Sequence, residues 1–170
     1  MGERYDIVVD FASFKGQNIT VNNARRVTDC PDYAATDLVM RFVVGTEVTD
    51  DSNNGPLPDK LRDIPYAENK VVADKDFTFS REDDKWVING VGFSDVRNRI
   101  LARPKQNTTE KWVLKNGGKS THPVHIHLVD FQVLSRTGER SVLPYEAAGM
   151  KDTVYLEAGE YVQIGVLPVI

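Results

Sequence analysis

The sequence predicts an all-β chain, laid out as a β-sandwich or barrel. Short runs rich in Val, Ile, Thr, Phe, Tyr and Trp recur along the 170 residues, and such residues fit a pleated, half-buried surface. Clusters of Gly, Pro, Asn and Asp separate the runs, as turns require. No stretch carries the period of 3.6 that would face a helix onto a core.

Taken in order, residues 5–11 (YDIVVDF) read as the first strand, and Lys15-Gly16 as a turn. Residues 18–22 (NITVN) alternate polar and apolar, as a half-buried strand does. A polar loop follows to about Asp37, and residues 38–44 (LVMRFVV) form the next strand. The texture then changes. Residues 49–58 (TDDSNNGPLP) are rich in turn formers and acids, and residues 61–65 (LRDIP) suit a short helical turn that Pro65 stops. This divides the chain into a β unit at 1–48, a linker at 49–76 and a second β unit at 77–170. In the second unit, strands are expected near 77–79, 86–90, 109–116, 131–136, 152–156 and 161–167. Another is expected through the histidine-bearing run at 124–128, entered by a Gly117-Gly118 turn. The spacing suits a sandwich or barrel. No solenoid-type repeat or low-complexity tract interrupts it.

Composition narrows the function classes. The net charge of −4 argues against a nucleic-acid surface, which needs a basic stripe. No apolar run is long enough to span a bilayer. The polar start, Met1-Gly2-Glu3-Arg4, does not read as a signal peptide or a myristoylation site, so localisation stays open. Cys30 is the one cysteine, which precludes an internal disulfide. It sits in a turn-like stretch with no histidine nearby. Asn18-Ile19-Thr20 and Asn107-Thr108-Thr109 are glycosylation sequons, relevant only on a secretory route.

The three histidines are His122, His125 and His127, packed into six positions of the run THPVHIHLVDF at 121–131. Imidazoles concentrated between apolar residues indicate a metal site. On a strand, side chains alternate between faces, so His125 and His127 point the same way. His122 lies at odd spacing from both, and Pro123 is expected to push the chain out of regular pairing. His122 should therefore face elsewhere, toward a second site. Imidazole suits Cu, Zn, Fe and Ni, so the residues alone leave the metal open.

The pattern H-P-x-H-x-H, continued by residues 128–134, resembles the first histidine motif in the last domain of multicopper oxidases, most nearly the fungal bilirubin oxidase and phenol oxidase group. The likeness extends along most of the chain. Residues 2–11 are similar to the closing strands of a middle cupredoxin domain, and 61–65 to the interdomain connection. Residues 86–93 (WVINGVGF) and 110–112 (EKW) look like the opening of the last domain. Residues 149–154 (GMKDTV) resemble a segment shortly after the histidine motif.

The resemblance implies a cupredoxin-like Greek-key β-sandwich fold, in incomplete units, with copper as cofactor. It implies that His122 binds the type 1 copper, His125 the type 2 copper and His127 a type 3 copper. It implies one-electron oxidation of a small phenolic or pyrrole-type donor, with dioxygen reduced to water, and a secreted setting. Each ring would have its second nitrogen satisfied by a carbonyl or carboxylate, with Asp130 a candidate.

The chain also departs from the family. The second motif, H-C-H-x-x-x-H, is absent, as are the first-domain histidine pairs. A type 1 site needs two His and a Cys thiolate, and only His122 matches. Ser120 stands where Trp is expected in bilirubin oxidases. The expectation is therefore a partial oxidase chain, inactive alone and prone to associate through unpaired sheet edges. Alternatives are a non-redox zinc or copper module, a cupin-type site built on His125-x-His127, and a purely structural fragment.

Overall fold

The computed structural model describes residues 4–23, 37–48, 55–61, 63, 71–138 and 140–167. Cys30, most of the polar loop after Asn23, and most of residues 61–65 lie outside them. The chain is nearly all strand, as predicted, and divides into two compact units.

One unit is Tyr5–Asp59. A 3-10 turn at Ala12–Phe14 leads into β1 (Asn18–Asn22), which pairs antiparallel with β2 (Leu38–Val43). Gly16 takes a left-handed φ of +72° and donates its N–H to Val44 O at 3.1 Å, closing the turn before β1. Phe11 packs on Phe42, ring centroids 5.1 Å apart. The strand predicted at 5–11 does not form. Backbone donors and acceptors need a partner strand, and none among the described residues pairs with this run.

The other unit is Lys60–Ile170, to which Arg4 also belongs. Its main sheet has six strands in the order β5-β4-β3-β6-β10-β8. These are β3 (Val71–Glu82), β4 (Lys85–Ile88), β5 (Val91–Gly92), β6 (Thr109–Asn116), β8 (Phe131–Arg136) and β10 (Tyr161–Val166). β3 runs parallel to β6, and the remaining pairs are antiparallel. β3 opens at Val71, inside the stretch read as linker. β4 ends at Ile88, short of the predicted Gly90, because Asn89 (φ 53°) and Gly90 (φ 75°) are both left-handed. A two-residue hairpin turn demands that, and it sends the chain back as β5.

A second sheet pairs β7 (His122–His125) with β9 (Thr153–Leu156). Between the sheets lies one apolar core. Phe131, Val133, Leu114, Val162 and Ile164 come from the main sheet, and Val124, Val154 and Leu156 from the smaller one.

A single helical turn, α1 (Pro144–Ala147), breaks the all-strand pattern for a polar reason. It delivers Glu146 to the wholly buried Arg136 guanidinium. Arg136 Nε donates to Glu146 Oε2 at 3.0 Å, and Nη1 donates to Glu160 Oε1 at 2.7 Å and to Tyr155 O at 3.0 Å. Glu146 Oε2 also accepts the Leu143 N–H at 3.0 Å, and Glu160 Oε2 the Glu157 N–H at 2.7 Å. The cluster ties β8, α1, β9 and the β9–β10 turn together.

Candidate metal centre

β7 owes its position to its register with β9: His122 opposite Leu156, Pro123 opposite Tyr155, Val124 opposite Val154 and His125 opposite Thr153. Val124, Val154 and Leu156 are buried and hold the two strands against the main sheet. Pro123 does not disturb the pairing, contrary to expectation. Among the described residues β7 has one neighbour in its sheet, so a residue without an N–H is tolerated on its other side. The strand is shorter than predicted. It ends at His125, one more backbone bond follows (Ile126 N–H to Asp152 O, 2.9 Å), and Leu128 turns the chain with a left-handed φ of 75°.

Burial alternates from Val124 to His127. His122, Val124 and Ile126 are at least half-buried, while His125 and His127 are exposed. His122 sits against Phe79 and Trp86, ring centroids 5.2 and 5.9 Å away. A cavity of about 300 Å³ adjoins it, walled by Phe79, Trp86, Phe93, Arg99 and Leu101. Burial in these apolar surroundings pushes the His122 pKa down, favouring the neutral ring that metals bind.

His125 and His127 meet each other, ring centroids 4.8 Å apart and edge to face. They line a neighbouring cavity of about 350 Å³ with Phe77, Trp112 and Pro104, and this cavity shares Phe79, Ile88, Arg99 and Leu101 with the one beside His122. His125 Nδ1 lies 2.9 Å from Asp152 O. A carbonyl only accepts, so Nδ1 carries the proton and Nε2 keeps its lone pair for a metal.

The Asp152 carboxylate lies beyond. Burial raises its pKa, but hydrogen bonds from Arg4 and Thr153, and the charges of Arg4 and His125, outweigh that and hold it below the usual carboxylate range. Asp130, the orienter suggested by sequence, is an exposed loop acid. The partners that orient His125 belong instead to residues 152 and 153. Only the register of β7 against β9 brings them there, and the likeness of the 149–154 segment to the family was the one signal pointing that way.

The donor set suits copper in kind: imidazoles, one with a ring nitrogen tied to a carbonyl. Among the described residues, no three of His, Cys, Asp and Glu are placed together to hold one metal ion.

The nearly all-strand chain, with its imidazoles on and just after β7, shares the cupredoxin fold of the multicopper oxidase structures it resembles. Residues 65–168 match the family model of multicopper oxidases, and the chain belongs to that family. It is 42% identical over 172 residues to a bilirubin oxidase of Albifimbria verrucaria, an alignment covering 96% of this chain and 30% of that protein. It is 27% identical over 184 residues to a laccase of Bacillus subtilis, covering 95% and 35%. Among solved structures it resembles a laccase from Pediococcus acidilactici, with a TM-score of 0.62 and 26% identity, over 91% of this chain and 31% of that one. The chain thus spans about a third of the length of these relatives.

Proposed function

We propose that His122 serves one copper site and that His125 and His127 serve another, in an oxidase that takes electrons from phenolic or pyrrole-type donors and delivers them to dioxygen. The observation that carries the reading is the partition of three adjacent histidines into two environments. Residues 1–48 and 77–170 are read as parts of two cupredoxin-like domains, and of the stretch 49–76 between them residues 71–76 already form the start of β3 in the second.

Copper would supply the one-electron chemistry. The chain's own residues do three things for it. Phe79 and Trp86 partly bury His122, and that burial lowers its pKa in favour of the neutral ring. The Asp152 carbonyl fixes the proton of His125 on Nδ1. β7 sets the spacing that separates His122 from the His125–His127 pair. These 170 residues hold three imidazoles and one thiol, so a complete type 1 site or oxygen-reducing cluster draws further ligands from elsewhere. The open edges of the β7–β9 sheet are proposed as places where added strands or other chains pair.

The test is copper loading of the purified chain. It should take up Cu(II) weakly at His125 and His127, show no intense blue absorption, and fail to oxidise phenolic donors with dioxygen. Replacing both histidines with Ala should remove most of the uptake, while Cys30→Ser should leave it unchanged. Stoichiometric blue copper that disappears in Cys30→Ser would overturn the reading, because that colour requires a Cu–thiolate bond held with two imidazoles.

A further inference from the structure

We infer that the Thr153 hydroxyl is a positioning group for His125: with the Asp152 carbonyl, it locks the ring in the tautomer that leaves Nε2 free. Only the consequence for metal affinity rests on the copper reading above.

The direction of each hydrogen follows from the contacts. The Asp152 carbonyl lies 2.9 Å from both the Ile126 N–H and His125 Nδ1. A carbonyl offers two lone pairs, so both are engaged, and His125 must bring the proton. Thr153 Oγ1 lies 3.0 Å from the same Nδ1. It sends its own proton to Asp152 Oδ1 at 3.1 Å, so the oxygen faces Nδ1–H with a lone pair. Thr153 is nearly solvent-free, and the Asp152 carboxylate is held in turn by Arg4. The imidazole therefore meets two acceptors, one from backbone and one from a side chain. Two acceptors fix the ring's rotation about its own axis where one would leave it broad.

The register of the sheet puts the hydroxyl there. Thr153 is the cross-strand partner of His125. A slip by one residue would turn the facing side chains to the other side of the sheet.

The experiment uses the whole metal-free chain, labelled with 15N, about two units above the ordinary histidine value of ~6.5. Long-range 1H–15N spectra should show His125 as a single tautomer, with Nδ1 protonated and Nε2 bearing the lone pair. Thr153→Val, which keeps the shape and removes the hydroxyl, should shift His125 toward a mixture of tautomers and leave His122 unmoved. Thr153→Ser should restore the parent spectrum. Copper uptake should fall about tenfold or more in Thr153→Val, the usual scale for losing a group that orients a ligand, and recover in Thr153→Ser. Unchanged His125 shifts in Thr153→Val, or no recovery in Thr153→Ser, would overturn the inference whether or not copper binds. The predicted tautomer change without copper uptake at His125 would uphold the positioning role and count against the copper reading alone.

Discussion

The β1–β2 ribbon and the β6–β10–β8 portion of the main sheet are written with the same kinds of residue and have opposite fates. β2 reads Leu-Val-Met-Arg-Phe-Val, and each of its residues is exposed. β10 reads Tyr-Val-Gln-Ile-Gly-Val, and Val162 and Ile164 are fully buried. The difference is the second layer. β10 sits between two strands of a six-stranded sheet and under β7 and β9, whereas among the described residues of its own unit β2 has one partner strand and, beyond Phe11 against Phe42, no second sheet laid over it. β-branched and aromatic residues suffice to make strands pair. Burying them takes a layer supplied by distant parts of the sequence.

The sharpest way to break this comparison is to attack the polar clamp of the layered unit. Arg136→Ala leaves Glu146 and Glu160 buried with their main counter-charge gone. It should destabilise the unit by about 3–5 kcal/mol, as removing one partner of a buried ion pair does. Urea unfolding followed by Trp112 fluorescence would measure it. A loss under ~1 kcal/mol, the scale of an exposed pair, would mean the clamp is unimportant.

Next comes the core itself. Leu156→Ala empties a fully buried site on β9 and should cost about 2–5 kcal/mol in the same assay. Because Leu156 lies opposite His122, the ring contacts of His122 should loosen with it. An unchanged His122 NMR signal would separate the core from the histidine pocket.

Acid is a milder probe. Burial raises the pKa of Glu146, but the Arg136 hydrogen bond, the Leu143 N–H and the charges of Arg136 and Arg140 outweigh that and leave it lowered. A carboxyl whose folded pKa is depressed contributes stability above its unfolded value of ~4.3 and loses it as the pH falls through the folded value. The advantage of the parent chain over Glu146→Gln should therefore shrink on acidification through that window. His122, lowered by burial, acts with the same sign from a higher starting point. Its contribution is complete above ~6.5 and falls away as the pH drops through its folded value. A urea midpoint flat between neutral pH and pH ~4 would contradict the His122 expectation, and an advantage over Glu146→Gln that stays constant on acidification below ~4.3 would contradict the one for Glu146.

The smallest effect is expected in the ribbon. Val39→Thr on β2 should shift stability by no more than ~0.5 kcal/mol, because an exposed side chain has little packing to lose. A large loss there would show that β2 is covered in solution.

The fold class was legible because strand-forming residues and turn formers alternate so regularly. β1, β6 and β8 run where the sequence places them, and β2 and β10 depart only at their ends. The misses have physical causes. Residues 5–11 have strand composition, but composition cannot supply a partner strand. The Asn89-Gly90 turn was readable as a hairpin signal and was instead absorbed into the preceding strand. α1 is one turn long and serves a buried arginine, so no periodicity announces it. At the candidate site, the three histidines and their partition into two environments follow from local spacing. Thr153 and the Asp152 carbonyl do not, because cross-strand register is a property of two segments at once.

The strand order has a consequence for the newly made chain. β10 lies between β6 and β8, yet it follows both in sequence. On a ribosome, β3 through β9 emerge before the strand that joins β8 to the rest of the sheet. Until then Leu114 on one side and Phe131 and Val133 on the other lack their common partner, and their apolar faces stay open to water. Non-local pairing of this kind is slow to form and leaves such surfaces available to other chains meanwhile. Assembly of this unit is therefore gated by the emergence of β10, and a translational pause just before residue 161 would lengthen the interval in which chaperones are needed.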